Sequence, residues 1–133
     1  MAHDAPVDVH ADARHRLSAL APSSADGTAP AHLLARDAAL LGRLLAAAAR
    51  DPRGDGEPAA DVTVDDVGAA LSLFEELRHQ LDRLESQVVM EARRRGMDWR
   101  QIAGHQGLNS SQAASQRHQR LTTRLEEIRQ GVR

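Results

Sequence analysis

The segment at residues 99–121, WRQIAGHQGLNSSQAASQRHQRL, constrains the fold more than any other part of the chain. Two short helices that meet at a steep angle need a small residue at their contact and, between them, a residue that tolerates a positive φ. Ala103 and Gly107, four residues apart, meet these two needs. Asn109 is predicted to cap the second helix, with Gln112 reaching back to it as in a capping box. The segment therefore predicts a helix-turn-helix and not one long helix.

The composition favours helices along the whole chain. Hydrophobic residues make up 41% of the 133 residues, but aromatic residues make up only 2%. Any core is therefore built mostly from Leu, Val and Ala, which suits helices and argues against a sheet. We predict an all-α fold of about one ordinary domain, or of a smaller domain with an appendage.

The charges are distributed unevenly between the two halves of the chain. Residues 1–76 contain 6 Arg and 13 acidic residues, whereas residues 77–133 contain 11 Arg and 6 acidic residues. Because every basic residue is Arg and Ala is abundant, the Arg count partly reflects coding from a GC-rich genome. The asymmetry is the better indicator, and it predicts that the C-terminal half binds an anion.

Several features of the sequence bear on the cellular compartment. The chain contains no cysteine, which excludes disulfides and thiolate chemistry. No apolar run approaches the roughly 18 residues of a membrane span, and the first residues lack the basic region and apolar core of a signal peptide. We expect a cytoplasmic protein located at the nucleoid, with no membrane partner.

The N-terminal part of the chain is predicted to contain two regions. Residues 1–30, rich in Ala, Asp, Ser, Pro and Gly, are interpreted as a mostly disordered acidic arm with a weak helix between Val7 and Leu20. Residues 31–61 are predicted to form an amphipathic helix over 31–50, followed by a linker. The leucines on one side of this helix are Leu33, Leu34, Leu40, Leu41, Leu44 and Leu45.

A long helix is predicted to start at Thr63 or Asp65, to end at Arg95, and to be closed by Gly96. At 1.5 Å per residue its roughly 31 residues span about 46 Å, more than a compact helix-turn-helix needs to cover. The surplus can pack against the helix at 31–50 or against a second copy in a homodimer, and both interpretations stay open. Its apolar stripe comprises Val67, Ala70, Leu71, Phe74, Leu77, Leu81, Leu84, Val88 and Ala92, among which Val67, Phe74, Leu81 and Val88 are seven residues apart.

The second helix of the motif is predicted to begin at Ser110, to continue to about Gln130, and to have two different faces. The inward face is expected to contain Ala113, Ala114, Arg117, Leu121, Leu125, Ile128 and Val132. The opposite face, with His118 at its edge, consists of Ser111, Gln112, Ser115, Gln116 and Gln119. Gln can bond adenine in a bidentate way and Ser can bond either base, whereas a solvated face more often carries Glu and Arg. We predict that these five residues read bases in the major groove.

Arginines near the motif are candidates for contacts with the DNA backbone, which supply affinity but not sequence preference. Arg100 and Arg120 flank the polar face, and Ser110 lies at the start of the second helix. Arg117 has two interpretations, a phosphate contact or a structural role with its stem beside Trp99 and its guanidinium on Glu85 or Glu91. The run Arg93, Arg94 and Arg95 likewise either stabilises the negative end of its helix or grips phosphates.

Residues 96–121, and more weakly residues 70–95, resemble a family of small actinobacterial helix-turn-helix proteins. These include transcriptional regulators of a small heat-shock-protein type and nucleoid-associated proteins that bind GATC. The resemblance implies a trihelical DNA-binding domain over residues 62–133, with Gln112 and Arg117 matching the family's Q-A-A-x-x-R. The chain differs from the pattern in having Ser111 in place of Arg and Gln106 in place of Leu.

These patterns predict a non-enzymatic protein that binds double-stranded DNA as a transcriptional regulator or nucleoid-associated protein. The alternative is a protein-interaction module, such as a partner of RNA polymerase or a sigma factor. An enzyme is the third hypothesis, because the seven histidines include no H-E-x-x-H pair and no glycine-rich phosphate loop is present. We expect no catalytic residue, no cofactor and no metal site.

Overall fold

The structure is a computed structural model that describes residues 8–22, 27–50 and 61–131. Within these ranges the chain forms five α-helices and no strand, so the predicted all-α fold class is confirmed. The helices are α1 (Val9–Ser18), α2 (Pro30–Ala48), α3 (Val64–Arg94), α4 (Trp99–Gln106) and α5 (Ser111–Arg129). None of the described helices is both long enough and apolar enough to cross a membrane.

Capping boxes fix the first residues of α3 and α4. The Thr63 hydroxyl accepts from the Asp66 amide at 3.2 Å, and the Asp66 carboxylate accepts from the Thr63 amide at 2.9 Å. Asp98 and Gln101 repeat this reciprocal arrangement at 2.8 and 2.9 Å. Each box satisfies amide groups that have no partner within the helix, and the predicted start of α3 is confirmed.

The turn between α4 and α5 is built as predicted at its glycine but not at its cap. Gly107 has a φ of 71°, and the Leu108 amide donates to the Ala103 carbonyl at 2.8 Å. The predicted Asn109 cap is wrong, because Ser110 caps α5 and its hydroxyl accepts from the Ala113 amide at 3.1 Å. Gln112 is then the second helical residue, too close to the cap to close a capping box.

α2 packs along α3, and the face that it buries differs in part from the predicted leucine stripe. Leu33, Leu34, Leu41 and Leu44 are half-buried, but Leu40 and Leu45 are 44% and 68% exposed. Asp37, 3% exposed, lies at the centre of the buried face. At 100° per residue Leu40 and Leu45 lie about 60° and 80° to either side of Asp37, which explains why they point away from α3.

The buried face of α3 towards α2 also contains a polar residue that the apolar pattern did not indicate. Gln80 is 3% exposed, and its amide group is hydrogen-bonded at both ends. Its nitrogen donates to the Glu76 carboxylate at 2.5 Å, and its oxygen accepts from Arg83 at 3.0 Å. Because both groups have partners, the cost of burying this side chain is offset.

The C-terminal half of α3 forms a small core with α4 and α5. Val89, Ile102, Ala103 and Ala114 are each less than 5% exposed. Around them lie the partly buried side chains of Ala92, Met97, Trp99 and Leu108. Ala103 and Ala114 allow α4 and α5 to approach closely, so the small-residue requirement inferred from the sequence is met.

The N-terminal region differs in part from the predicted disordered arm. The weak helix expected between Val7 and Leu20 is present as α1, with the Asp8 carboxylate accepting from the amides of His10 and Ala11. No residue of α1 is buried. The rest of the predicted arm at 1–7 and 23–26, and residues 51–60 of the predicted linker, lie outside the described residues.

Candidate nucleic-acid interface

One side of α5 carries the residues predicted to read bases. Ser111, Gln112, Gln116 and Gln119 are exposed, and Ser115 is partly buried at the edge of this face. Ala114 and Leu121, 1% and 6% exposed, lie on the opposite side and fix α5 to its neighbours. We call these five residues, Ser111, Gln112, Ser115, Gln116 and Gln119, the outer face of α5. Within the described chain the side chains of its members form no hydrogen bond or ion pair, so their donors and acceptors are available to a ligand.

The exposed side of α5 continues beyond the outer face, towards the C-terminus of the helix. A shallow groove of about 530 Å³ follows it, lined by Gln116, Gln119, Arg120, Thr123, Arg124 and Glu127. Thr123 and Glu127 were not among the predicted residues. Their spacing of four and eight residues from Gln119 is the helical signal that could have identified them.

Two of the predicted arginines are unpaired among the described residues. Arg100, near the start of α4, and Arg120, in the middle of α5, are exposed. Neither forms an ion pair or hydrogen bond through its side chain with any described residue. Their guanidinium groups are therefore free to contact an anion.

Two arginines of the predicted basic run share one carboxylate of α3. Arg94 donates to Glu91 through two nitrogens at 2.9 and 2.6 Å, and Arg95 donates to the same carboxylate at 2.6 Å. These hydrogen bonds, from Arg94 first and then Arg95, lower the pKa of Glu91 to about 2. The hydrogen bond with Glu91 also raises the pKa of Arg94. A phosphate would have to compete with this carboxylate for both arginines.

Arg93, the third arginine of the run, supports the connection between α3 and α4. Its guanidinium donates to the Met97 carbonyl at 3.2 Å and lies 5.1 Å from the centre of the Trp99 ring. On its other side Trp99 contacts His118, with ring centres 5.7 Å apart. The residue of α5 whose ring contacts Trp99 is therefore His118.

Arg117 has the structural role that was one of its two predicted interpretations. Its guanidinium donates to Glu85 of α3 through two nitrogens, at 2.6 and 2.8 Å. This hydrogen-bonded pair lowers the pKa of Glu85 and raises the pKa of Arg117. A second link between the same helices joins Arg124 to Asp82 at 2.8 Å. The predicted inward position of Arg117 needs correction, because its side chain is 46% exposed and reaches Glu85 from the rim of the helix contact.

Other residues of α5 also differ from the predicted two-faced pattern. His118, expected at the edge of the reading face, is half-buried, and its Nδ1 is buried with no hydrogen-bond partner among the described residues. Ile128, expected inside, is 48% exposed, because α5 extends past the core at this point. Val132, also expected inside, lies outside the described residues.

The start of α5 adds an electropositive group to the outer face. The hydroxyl of Ser110 accepts from the Ala113 amide in the cap, and its O–H can still donate to a phosphate, the role predicted for it at the DNA backbone. The amides of Ser111 and Gln112, the first two of the helix, have no partner within it. Together with the helix dipole, such amides favour the binding of a phosphate.

Comparison with known proteins identifies no relative. No protein-family model matches the chain, and no curated protein and no solved structure matches it either. The chemistry of the site is therefore inferred from its own residues. The outer face of α5 offers amides and hydroxyls that both donate and accept hydrogen bonds, and the unpaired Arg120 and the N-terminus of α5 add positive charge beside it.

Proposed function

We propose that the chain is a non-enzymatic protein that binds double-stranded DNA, as a transcriptional regulator or a nucleoid-associated protein. In this proposal α3, α4 and α5 act as a trihelical helix-turn-helix domain, and residues 110–121 form the recognition helix in the major groove. The observation that carries the proposal is the outer face of α5. Its polar side chains are uncharged and lie opposite the buried Ala114 and Leu121.

The proposed base contacts follow from the chemistry of that face. Gln112, Gln116 and Gln119 are spaced so that their amides lie along one side of the helix. An α-helix fits the major groove, where a Gln amide can bond both N6 and N7 of adenine. Ser111 and Ser115 offer hydroxyls that bond either base, and they complete the set proposed to read sequence.

The proposed backbone contacts depend on which arginines are free. Arg100, Arg120 and the first amides of α5 are available without breaking any described contact. Arg94, Arg95 and Arg117 would have to leave Glu91 or Glu85 to reach a phosphate. We therefore assign the main phosphate contacts to Arg100 and Arg120.

A salt titration of the full chain with a labelled duplex tests this assignment. Each phosphate contact contributes about 0.9 to the slope of log affinity against log salt concentration. The double variant Arg100→Ala/Arg120→Ala should therefore bind more weakly, with a slope that is smaller by about 2. The matched control removes two exposed arginines far from α5, Arg14 and Arg43, and should keep the slope of the unmodified protein. Failure of the unmodified protein to bind duplex DNA at low salt would disprove the proposal.

A protein-interaction module, for example a partner of RNA polymerase or a sigma factor, is the second candidate function. It is favoured by the exposed apolar side chains of α2 and α3, such as Leu45 and Leu71 at 68% and 66% exposure. A pull-down from nuclease-treated lysate separates the two functions. Recovery of RNA polymerase after nuclease treatment, together with no affinity for duplex DNA, would favour this candidate.

A further inference from the structure

α3 has an apolar side that α4 and α5 cover only towards its C-terminal end. Five of its large side chains are partly exposed on this side: Val67, Leu71, Phe74, Leu81 and Val88, with exposures of 43%, 66%, 41%, 53% and 66%. We call these five residues the α3 stripe. The opposite side of α3 carries the buried Gln80, whereas Val89, about five turns after Leu71 on the side of the stripe, is buried in the core with α4 and α5.

The C-terminal part of the α3 stripe continues into an apolar groove. Leu81 and Val88 form one wall of a groove of about 650 Å³ between α3 and α4. Val89, Ala92, Met97 and Ile102 also line it, and Arg117 and Gln106 contribute its polar groups. Gln106, which replaces the Leu of the family pattern, has a buried side-chain oxygen with no hydrogen-bond partner in the described chain. The stripe and the groove together form one continuous apolar surface.

The spacing of the stripe matches a second copy of itself in the opposite direction. Val67, Phe74, Leu81 and Val88 are placed symmetrically about the midpoint between residues 77 and 78. If two α3 helices lie antiparallel with these midpoints together, Val67 lies opposite the partner's Val88 and Phe74 lies opposite the partner's Leu81. Leu71 then meets the partner's Leu84, at the edge of the groove.

Charge favours the same direction of pairing. The first turn of α3 carries Asp65 and Asp66, which are both exposed. The residues that end it, 91–95, contain three Arg and one Glu. Antiparallel pairing places the acidic beginning of each helix beside the basic end of its partner. Parallel pairing would place acidic side chains opposite each other, which is unfavourable.

We propose that the chain forms an antiparallel homodimer through the α3 stripe. The interface is two-fold symmetric, so each copy supplies the same apolar surface. The ends of α3 then lie roughly 25 Å on either side of the two-fold axis, at 1.5 Å per residue. α5 contacts α3 around Asp82, Glu85 and Val89, which lie roughly 7 to 17 Å from the two-fold axis at 1.5 Å per residue, so the two contact regions lie roughly 14 to 35 Å apart along α3. If the proposed DNA binding is correct, each dimer carries two recognition helices.

Sedimentation velocity of the full chain without DNA tests dimer formation over a wide range of concentration. A species of twice the 14.4 kDa chain mass is expected. Phe74→Glu and Leu81→Glu should each raise the dissociation constant about tenfold or more, because they place a charge at the centre of the interface. Leu45→Glu, at an exposed leucine on the far side of α2, is the control and should leave the dissociation constant unchanged. A monomer at every concentration would overturn the proposal, including the case in which α1 covers the stripe within one chain.

Disulfide crosslinking tests the direction of pairing, and the absence of native cysteine makes it specific. A mixture of Val67→Cys and Val88→Cys chains should form a crosslinked dimer that contains one chain of each kind. Neither variant alone should crosslink. Crosslinking of each variant with itself, and not with the other, would indicate a parallel dimer and overturn the proposal. Because DNA is absent from these experiments, their outcome is independent of whether the chain binds DNA.

Discussion

The two sides of α5 use arginine in different ways. On the side towards α3, Arg117 and Arg124 are paired with Glu85 and Asp82. Next to the outer face, Arg120 has no partner among the described residues. All of these arginines come from the same basic half of the chain, and for Arg117 the sequence left both a structural role and a phosphate contact open. The comparison shows that the pairing of an arginine, more than its presence in a basic segment, indicates whether it is free to bind a ligand.

Stability and binding should therefore depend on different residues of the same helix. The ion pairs towards α3 are partly exposed, and pairs of this kind contribute at most about 1 kcal/mol each to folding. Ala114 packs against Val89, Ile102 and Ala103. A larger side chain at this position must displace buried neighbours, so it should lower the stability more than the loss of one ion pair does. The outer face should contribute little to folding and much to binding.

The largest expected effect is at Ala114. Ala114→Leu adds three carbon atoms at a side chain that is 1% exposed, so it should lower the free energy of unfolding by about 1 to 3 kcal/mol or more. Ala38→Leu, at an exposed position of α2, is the matched control and should change it by less than about 0.5 kcal/mol. Urea denaturation followed by circular dichroism measures both. An unchanged stability for Ala114→Leu would contradict the packing of α5 against α3 and α4.

The next effect is on sequence preference. If Gln112 bonds a base, Gln112→Ala should weaken binding to a site selected from a random duplex library by about 1 to 3 kcal/mol. Binding to a shuffled duplex should change little, and so should the stability, because the side chain is exposed. Equal losses on both duplexes would remove Gln112 from the residues that read bases.

A direct contrast between Arg117 and Arg120 sharpens the comparison further. Arg117→Gln should lower the free energy of unfolding by up to about 1 kcal/mol, because it breaks the pair with Glu85. Arg120→Gln should leave stability unchanged and reduce the salt slope of DNA binding by about 1. Denaturation measures the free energy of unfolding of both variants, and salt titration measures the slope of their DNA binding. The reverse assignment, with the DNA effect at Arg117 and the stability effect at Arg120, would contradict the account.

The smallest expected effect is on the pH dependence of stability. Arg117 lowers the pKa of Glu85, and Arg94 and Arg95 lower the pKa of Glu91 to about 2. The ordinary pKa of a glutamate is 4.5. A carboxylate whose pKa is lowered in the folded protein stabilises the fold at pH values above 4.5, and this contribution disappears as the pH falls through the lowered pKa. The stability difference between the unmodified protein and Glu85→Gln should therefore be largest near neutral pH and should shrink below pH 4.5. A difference that grows on acidification would show that the pair does not act in this way.

Local signals made much of the helical core predictable. Thr63 and Asp98 are helix caps, and Gly107 is a turn residue with a positive φ. Each of them affects only the backbone next to it. These residues mark the start of α3, the start of α4 and the end of α4. The cap of α5 was misassigned because Asn109 and Ser110 are both good capping residues, and only the extended backbone at Ser110 distinguishes them.

Contacts between helices were less predictable. The burial of Asp37 and Gln80 depends on which sides of α2 and α3 meet, and an apolar pattern does not register a polar side chain within it. The contact between Trp99 and His118 depends on the crossing of α4 and α5, which helical periodicity does not specify. At the candidate site, the polar residues of α5 could be predicted from periodicity, but the separation of free from paired arginines could not.

The side-chain amide resonances of Gln112, Gln116 and Gln119, followed by NMR as duplex DNA is added to the labelled full chain, test the central claim most directly. These three groups belong to the outer face of α5, whereas the buried amide of Gln80, between α2 and α3, serves as an internal control. The account predicts that the outer amides shift or broaden while the Gln80 amide does not. DNA binding that leaves all three outer amides unchanged would contradict the claim that this face contacts the duplex.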